Sequence, residues 1–591
     1  MKKRLAVLLC AAAVVGSSLL YAVPARKVWK QVVQPDGSEL RIQLRGDEFF
    51  RYYQTADGVP LVEVDGGFYY ASLKGISLKQ TSMLPAHELA QRSSKELLLS
   101  DSLKMQFGLQ MPQVYRIRKD RNADKCRRSP DAARNFGGQN LPNPMIGKKK
   151  GLVVLVNFKD VKMKTPHAHA TFHRMMNEEG YSDHGQHGSV RDYFLSQSYG
   201  QFDFSFDVAG PVTLPNNMAY YGKNIQGFDI RPGEMVLDAC MQIQNQVNFA
   251  DYDWDGDGEA EQIFVIYAGY AESNGAPANT IWPHQSYVQN RDGSDLVIDG
   301  TIIGKYACSS ELTGVSGDVV AGIGTMCHEF SHCFGIPDFY DINGVNFGMD
   351  VWSLMDYGCY NDNGNTPVGY TSYERMMCGW LQPTLLNDTA AVRDMPCLSE
   401  APVAYGIQNE ANKSEYYLLE NRQQTGWDRY LPSHGMLVLH VDYDEKAWDM
   451  NMVNTNANRL RMSYIAADNA RNANTLEFDL FPGLRGVSCL TDFSKPAAAL
   501  NTNNPQGIKR MSKPIYNIKE QDGLIGFDFL KDTAVGISEV LFEKAEPFVW
   551  NVYHPDGSLA GKMSAAQIQY LLKPGIYLLR SGSETRKVMI R

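Results

Sequence analysis

The pattern of apolar and polar positions changes several times along the chain. Residues 23–146 begin with alternating positions, such as LRIQL at 40–44 and FYYASL at 68–73, separated by turn sequences such as PDG at 35–37. Such alternation predicts half-buried β-strands. From Arg116 to Arg134 the sequence becomes basic and polar, and residues 135–143 are rich in Gly and Asn. We therefore predict a β-rich module followed by an exposed basic linker that proteases can cut.

Three more segments follow this linker. Residues 147–385 open with the continuous apolar run GLVVLVNF at 151–158, which is typical of a buried strand, and strand-like and helix-like runs then alternate. Residues 386–535 contain strand-like runs such as YYLLE at 416–420 between Asn and Pro clusters, which predicts a β-sandwich. Residues 536–591 return to short β-runs and are predicted to form a small C-terminal β-sandwich. The predicted fold class is therefore α+β and multidomain.

Composition places the chain among globular proteins. Its 591 residues are 44% hydrophobic and 21% charged, which excludes a disordered or collagen-like chain. A chain of this length corresponds to about four domains. The formal net charge is −9 and no long basic tract is present, so nucleic acid is not the expected partner.

The N-terminus has the pattern of an export signal. Lys2, Lys3 and Arg4 precede an apolar run that ends at Leu20, and Ala22 offers a small residue for cleavage. The alternative, a membrane anchor, fits less well because the run is short and no stop-transfer flank follows it. We therefore predict a signal peptide at 1–22. Since no later apolar run reaches about 18 residues, the mature chain is predicted to have no transmembrane segment.

Export changes how the cysteines are interpreted. Ten are present and nine remain after removal of residues 1–22, so some are expected to form disulfides in an oxidising compartment. The sequence does not define how they pair. The odd number leaves at least one thiol without an intramolecular partner, and Cys126, which precedes residue 147, is the candidate.

A metal-binding motif lies at residues 328–338, which read HEFSHCFGIPD. On an α-helix, His328 and His332 are one turn apart and point the same way, which suits two imidazole ligands of Zn²⁺. Gly335 can end the helix with a positive φ, and the turn can bring Asp338 back as a third ligand. Three protein ligands leave a fourth position open, as in catalytic zinc sites. The alternative is an ordinary surface helix with two histidines.

A second motif follows at residues 353–358, which read SLMDYG. A zinc motif with a third ligand after Gly, followed by this methionine turn, resembles the metzincin metallopeptidases. The resemblance implies that Met355 forms the hydrophobic base under the zinc and that Tyr357 swings towards the metal. The alternative for Tyr357 is a packed aromatic. The third ligand is Asp338 where many metzincins have His, and a carboxylate oxygen is an acceptable zinc ligand.

In finer detail the chain resembles peptidase family M6, the immune-inhibitor-A-like metallopeptidases. The matching stretches are the zinc motif, SLMDYG, SYER at 372–375, GW at 379–380, and the runs at 416–422 and 435–442. The resemblance covers roughly residues 147–530. It implies a secreted zinc endopeptidase with a propeptide at 23–146 and a catalytic domain at 147–385. In that scheme Glu329 acts as general base and then passes its proton to the leaving amine.

A calcium loop is predicted at residues 251–261, which read DYDWDGDGEAE. Residue 264 is Phe where an EF-hand has Glu, so this is not a helix–loop–helix site. Carboxylates this close repel one another without a cation, which favours a structural Ca²⁺ over the alternative, an acidic turn. The candidate ligands are Asp253, Asp255, Asp257, Glu259 and Glu261.

An exported protease must stay inactive until it reaches its destination. A thiolate from Cys126 in the propeptide would occupy the open zinc position, as in the cysteine switches of metzincins. Asp124 or Asp131 would do the same with a carboxylate. A solvated linker cysteine is the alternative.

Residues 536–591 resemble the sorting domain of the type IX secretion pathway. The matching features are YHPDG at 553–557, KPGIY at 573–577 and the terminal RKVMIR. The resemblance implies the secretion machinery of a Bacteroidetes-type bacterium as a partner, with a product that is secreted or attached to the outer-membrane surface. The alternative is a small β-domain that only packs on the protease.

Two functional classes follow from these patterns. The first is a zinc endopeptidase that acts on protein or peptide substrates, and the second is a non-catalytic surface adhesin on a peptidase scaffold. An inactive homologue would be expected to lose Glu329 or a histidine ligand, and these residues are all present. The segment at 386–535 would either bind substrate or brace the catalytic domain.

Overall fold

The computed structural model describes residues 23–47, 50–75, 77–120, 145–225, 228–342, 344–531 and 549–564, and shorter pieces at 567–568, 572–573, 575–581 and 584–590. The predicted signal peptide and Cys126 lie outside these residues. The described chain is a mixed α+β multidomain structure with several sheets and few helices, which agrees with the predicted class.

An antiparallel sheet of six strands, paired in sequence order, forms the N-terminal part of the described chain. A helix of 27 residues, α1, follows it. The elements are β1 (Trp29–Val33), β2 (Glu39–Gly46), β3 (Arg51–Thr55), β4 (Pro60–Val64), β5 (Gly67–Lys74), β6 (Ser77–Pro85) and α1 (Ser94–Asp120). We call the described residues of 23–120 the N-terminal module.

The prediction of a β-rich module missed helix α1, and residues 116–120, which were assigned to the linker, lie in this helix. Ser93 and Glu96 start the helix with reciprocal bonds, because Glu96 N donates to Ser93 Oγ and Ser93 N donates to Glu96 Oε2. Buried Leu103, Phe107 and Met111 recur every four residues, which places them on one helix face. This spacing was the sequence signal for the helix.

A mixed five-stranded sheet forms the centre of the molecule, in the order β13-β16-β12-β7-β8. All its neighbouring strands are parallel except the edge strand β13. Its strands are β7 (Gly147–Asn157), β8 (Phe202–Thr213), β12 (Ile263–Tyr270), β13 (His284–Tyr287) and β16 (Lys305–Leu312). Helices around it are α2 (Ala168–Asn177), α3 (Val190–Gln197), α4 (Met218–Tyr221), α5 (Pro232–Ile243), α6 (Gly324–Cys333) and α7 (Ser372–Met377). Two small sheets accompany it: one pairs β9 (Asn224–Ile225) with β10 (Phe228–Asp229), and the other contains the three strands β11 (Glu259–Ala260), β14 (Leu296–Ile298) and β15 (Thr301–Ile303).

Both faces of this central sheet are buried, which explains the continuous apolar run at 151–158. Val153 and Leu155 of β7 face one core, which includes residues of α2, α3 and α6. Leu152 and Val154 face a second core on the opposite side, which includes residues of α5. A strand covered on both faces has no solvent side on which polar residues would alternate.

Two further sheets lie between residues 384 and 529. The larger contains β17 (Thr384–Leu385), β19 (Tyr405–Asn409), β20 (Asn412–Arg422), β21 (Gly435–Asp442) and β22 (Met462–Tyr464). The smaller contains β18 (Ala390–Met395), β23 (Ile515–Gln521) and β24 (Leu524–Phe529), and the short helix α8 (Glu445–Asp449) follows β21.

The larger of these sheets shares a core with the region that carries the zinc motif. Tyr416 and Leu418 of β20 pack into the same cluster as helix α6. Tyr417 and Leu419, on the opposite face, pack into a separate cluster with the smaller sheet. This two-sided burial supports the bracing interpretation of residues 386–535.

The described C-terminal residues form one antiparallel sheet of four strands around Trp550 and Leu579. Its strands, in the order β26-β25-β27-β28, are β25 (Val549–Tyr553), β26 (Leu559–Ser564), β27 (Gly575–Ser581) and β28 (Glu584–Ile590). A sandwich needs a second sheet, and the described part of 536–591 contains only this one.

The cysteines differ from the prediction. The structure has no disulfide among the eight cysteines of the described residues, and seven of these side chains are buried. Six of them pack as small apolar groups in the two cores, as Cys327 and Cys240 illustrate. Burial raises the pKa of the Cys240 thiol to about 12, so this side chain is an unreactive thiol at neutral pH.

Among the described residues, no helix is both long enough and apolar enough to cross a lipid bilayer.

Candidate active site

Helix α6, predicted from the zinc motif, is present and almost entirely buried. Phe330 fixes its orientation, because its ring stacks on Phe264 of β12 at 4.6 Å and contacts Phe206 of β8 at 5.1 Å between centroids. His328 and His332 are four residues apart and therefore share a face of the helix. The helix thus holds both imidazoles against the loops that follow it.

The structure brings His328, His332 and Asp338 together. The two Nε2 atoms are 3.2 Å apart, and Asp338 Oδ1 lies 3.1 Å from His328 Nε2 and 3.5 Å from His332 Nε2. Gly335 has a φ of 80°, which is the left-handed conformation expected at the end of the helix. The turn that it allows returns the chain so that Asp338 faces the two histidines.

Main-chain carbonyls orient both imidazoles. His328 Nδ1 donates to Leu354 O and His332 Nδ1 donates to Ile336 O, each at 2.8 Å. With its proton on Nδ1, each ring directs the Nε2 lone pair towards Asp338. Burial lowers the pKa of His332 to about 4, so this imidazole is neutral at pH 7.

This donor set fits a zinc ion. Two imidazole lone pairs and a carboxylate oxygen converge at 3.1–3.5 Å, and three electron-rich atoms repel one another unless a cation lies between them. Two nitrogen ligands and one oxygen ligand are a set that zinc accepts in catalytic sites. Zn²⁺ therefore suits the residues that are present.

Asn451 holds the third candidate ligand and was not identified from the sequence. Its Nδ2 donates to Asp338 Oδ2 at 2.5 Å, and its Oδ1 accepts from Asp338 N at 2.8 Å. The residue is buried, has a φ of 51°, and lies 113 positions after Asp338. Nothing local in the sequence links two residues so far apart.

We expect Asn451→Gly to weaken zinc binding by about 10- to 100-fold, because partners that orient a metal ligand contribute affinity of that size. Gly accepts the positive φ of this position, so the change removes the amide without adding backbone strain. Competition titration with a chromophoric chelator measures the affinity. Asn469→Gly is the matched control, since Asn469 is exposed and also has a positive φ of 63°. Equal zinc affinities for the two variants would contradict the assignment.

Glu329 is fully buried beside His328. Burial, and next the neighbouring Asp338 carboxylate, raise its pKa well above the usual value. Its Oε1 accepts a hydrogen bond from the main-chain N of Val23 at 3.1 Å, across 306 residues of sequence.

The N-terminal segment, residues 23–27, contacts Glu329 and residues of the loops around the candidate site. Val23 is fully buried, and its carbonyl accepts from Trp282 Nε1 at 3.0 Å. The carbonyl of Pro24 accepts from Tyr360 OH at 2.8 Å. Lys27 Nζ lies 2.7 Å from Asp350 Oδ2. These contacts join residues far apart in the sequence, and nothing in the sequence predicted them. Cys126, the predicted blocking group, lies outside the described residues.

The methionine turn lies directly against the ligands. Met355 is fully buried, its carbonyl accepts from Phe339 N at 2.8 Å, and the carbonyl of the preceding Leu354 accepts from His328. The turn therefore fixes both the His328 ring and the loop that carries Asp338. Tyr357 begins the next 3-10 helix, and the ammonium of Lys27 lies 3.5 Å from its ring centre. Movement of Tyr357 towards a metal stays a prediction.

The acidic loop brings together three of its five candidate ligands. Carboxylate oxygens of Asp253, Asp255 and Glu261 lie within 4.8 Å of one another. The other two lie outside this group, because Asp257 Oδ1 accepts from Glu259 N at 2.8 Å and Glu259 begins strand β11. Burial, with the nearby Asp255, raises the pKa of Glu261 to about 7.

Comparisons with known proteins bear on the region that contains this site. Residues 145–385 match the model of the immune inhibitor A peptidase M6 catalytic domain. The pre-pro-metalloprotease PrtV of Vibrio cholerae serotype O1 is 26% identical over 278 residues, which are 39% of this chain and 30% of the relative. Immune inhibitor A of Bacillus thuringiensis subsp. alesti is 25% identical over 279 residues, which are 39% of this chain and 40% of the relative.

The chain thus spans less than half the length of the curated relatives that it matches. The family model and these relatives support a peptidase M6 catalytic domain of the immune inhibitor A type, and with it a metallopeptidase.

Proposed function

We propose that the chain is a zinc-dependent endopeptidase, made as a zymogen, that hydrolyses peptide bonds in proteins. The observation that carries the proposal is the convergence of His328, His332 and Asp338 with Glu329 beside them, inside the region that matches the M6 catalytic domain. Metzincin-type architecture is part of the proposal, supported by the contacts of Met355.

The chemistry divides between the metal and the chain's own residues. Zinc held by His328, His332 and Asp338 would polarise the scissile carbonyl and lower the pKa of a water molecule. Glu329 accepts the proton of the attacking water and returns it to the leaving amine. Leu354 and Ile336 keep the histidine Nδ1 atoms protonated, and Asn451 keeps the Asp338 carboxylate oriented.

A chelator test addresses this function directly. We expect the protein, after cleavage in the predicted linker, to degrade a denatured protein mixture, to stop when a chelator removes the metal, and to resume when Zn²⁺ but not Mg²⁺ is added back. Gel electrophoresis of the mixture gives the readout. Degradation that continues in full after verified metal removal would contradict the proposal.

Latency belongs to the proposal and is supported by the N-terminal segment. Val23 N donates a hydrogen bond to Glu329, and contacts with Trp282 and Asp350 hold the chain from Val23 to Lys27 in place, so a substrate would have to displace this segment to reach Glu329. If export removes residues 1–22, Val23 N becomes an α-amino group, whose positive charge would pair with the glutamate. A charged pair in a buried site is stronger than a neutral hydrogen bond.

The second candidate function is the non-catalytic adhesin. Glu329, both histidines and Asp338 are all present and assembled, which favours the peptidase. Export through the signal peptide, and sorting by the type IX machinery through residues 536–591, are proposed from the sequence. The product would then be secreted or attached to the outer surface.

A structural calcium ion is proposed at Asp253, Asp255 and Glu261. The loop continues into β11 and lies close to β12, so a bound cation would tie it to the central sheet. Burial of Glu261 beside two other carboxylates is costly without a cation, which supports the site.

We expect Ca²⁺ to raise the Tm of the protein by several degrees and Asp253→Asn to remove most of this increase, because a ligand that binds only the folded state stabilises it. Asp257→Asn is the matched control, since it lies in the same loop outside the group of three. Differential scanning fluorimetry with and without Ca²⁺ measures both. A similar loss of the calcium effect in both variants would contradict this ligand set.

A further inference from the structure

Asp229, Glu272 and Trp282 form an acidic pocket beside Val23. Trp282 connects this pocket to the site of chemistry. Its indole Nε1 donates to the carbonyl of Val23, whose own N bonds Glu329, and its main-chain N donates to Asp229 Oδ2 at 2.9 Å. A substrate whose main chain took the place of Val23 would therefore be separated from the pocket only by the Trp282 side chain.

Arg51 of the N-terminal module occupies the pocket. Its Nε forms an ion pair with Glu272 Oε1, and its Nη2 lies 3.9 Å from Asp229 Oδ1. The guanidinium carbon is 5.3 Å from the centre of the Trp282 ring. The Arg51 side chain is 9% exposed, so the guanidinium is almost completely enclosed.

This combination of groups is selective for a planar cation. Carboxylates bind guanidinium through charge-assisted hydrogen bonds, and an indole face attracts the same cation. Arg51 is thus a ligand, supplied by the chain itself, that shows what the pocket accepts.

The pocket is also unfavourable without a cation. The side chains of Asp229 and Glu272 are 6% and 5% exposed. Burial raises the pKa of both carboxyl groups above their usual values, and the Arg51 guanidinium opposes both shifts. Within the described part of the chain, Asp229 Oδ1 has no hydrogen-bond partner and points towards Arg51. When Arg51 leaves, another cation would restore the lost interactions.

We infer that the Asp229–Glu272–Trp282 pocket is a specificity subsite that binds a basic side chain of the substrate, arginine above lysine, once the N-terminal module has been removed. In the zymogen, Arg51 occupies this subsite. The inference rests on the proposed peptidase function and extends it to the class of substrate. We expect arginine to bind more tightly than lysine, because only its fork-shaped guanidinium can pair with two carboxylates and stack on the indole.

The test uses the protein after cleavage in the linker and separation from the N-terminal module. The probe is a set of end-blocked hexapeptide libraries in which each position in turn is fixed as Arg, Lys, Gln or Glu. We expect one position at which Arg raises kcat/KM over Gln by about 10- to 100-fold, the range of a buried charge-assisted interaction. Asp229→Asn and Glu272→Gln should each reduce this ratio towards one, whereas Glu179→Gln, an exposed carboxylate, should keep it.

A binding measurement separates this inference from the peptidase function. In the Glu329→Gln background, fluorescence titration with the Arg and Gln libraries reports recognition without turnover, and it applies even if no peptide is cleaved. Stronger binding of the Arg library that depends on Asp229 and Glu272 supports the subsite. Equal binding of the two libraries, or a cleavage profile without basic preference at any position, overturns it.

Discussion

Replacing Glu329 by Gln is expected to lower kcat/KM for peptide hydrolysis by about two to four orders of magnitude, the usual contribution of a general acid–base group. The carboxylate lies beside His328 at the centre of the candidate site, and Gln has the same shape without the ability to accept the proton. Glu329 is not one of the three convergent ligand residues, so the variant should keep its zinc. A fluorogenic peptide measures the rate, and plasma emission spectrometry measures the metal.

Glu179→Gln is the control for this experiment, because it makes the same chemical change at an exposed position. A Glu329→Gln protein with zinc bound and near-normal hydrolysis would refute the assignment of the base. Wild-type protein that binds zinc, has lost its N-terminal module and still cleaves nothing would instead favour the adhesin.

The candidate metal site was largely predictable because the information that defines it is local. His328 and His332 are four positions apart on a helix, and Gly335 adopts the positive φ that the end of that helix requires. The apolar run at 151–158 likewise predicted a buried strand, since burial on both faces leaves no polar alternation. In each case the physical cause acts within a few residues.

The remaining parts of the site depend on contacts between distant residues. Asn451 holds Asp338 across 113 positions, and Val23 reaches Glu329 across 306. Nothing in the sequence near Asn451 or Val23 distinguishes it from many other residues of its type. The cysteines show the same limit, because an oxidising compartment permits disulfides, whereas six of the eight described cysteines pack in two separate cores.

Helix α1 was missed for a different reason. Its apolar positions at Leu103, Phe107 and Met111 have helical spacing, but they follow six short β-strands and precede a basic stretch that suggested a linker. The structure uses this helix to pack Phe107 and Met111 against Phe50, Tyr52 and Tyr340. Tyr340 is only two positions after Asp338, so α1 attaches the N-terminal module close to the candidate metal site.

Deleting residues 23–27 from the uncleaved chain is expected to raise hydrolysis of a small peptide by about a hundredfold or more. The deletion removes two hydrogen bonds, from Val23 N to Glu329 and from Trp282 to the Val23 carbonyl. It also removes the ion pair between Lys27 and Asp350. A buried hydrogen bond to a charged group contributes about 1.5–3 kcal/mol and a neutral one, such as Trp282 to Val23, about 0.5–1.5 kcal/mol, so the combined loss favours release of the segment from Glu329. The rest of the N-terminal module keeps its sheet, because the first strand begins at Trp29.

Three forms of the uncleaved protein test whether the contact of Val23 with Glu329 inhibits hydrolysis. The first begins at Val23, the second carries Gly-Ser before Val23, and the third begins at Val28. Gly-Ser before Val23 keeps a main-chain N–H at position 23 but moves the α-amino charge two residues away from Glu329, so the second form isolates the contribution of that charge. We therefore expect the third form to hydrolyse the peptide, the first to be nearly silent, and the second to have an intermediate rate. Val33→Ala, at an exposed position of β1, is the control and should stay silent. If all forms are silent until the linker is cut, the inhibition resides in the folded module instead, and Arg51 in the acidic pocket becomes the contact to remove next.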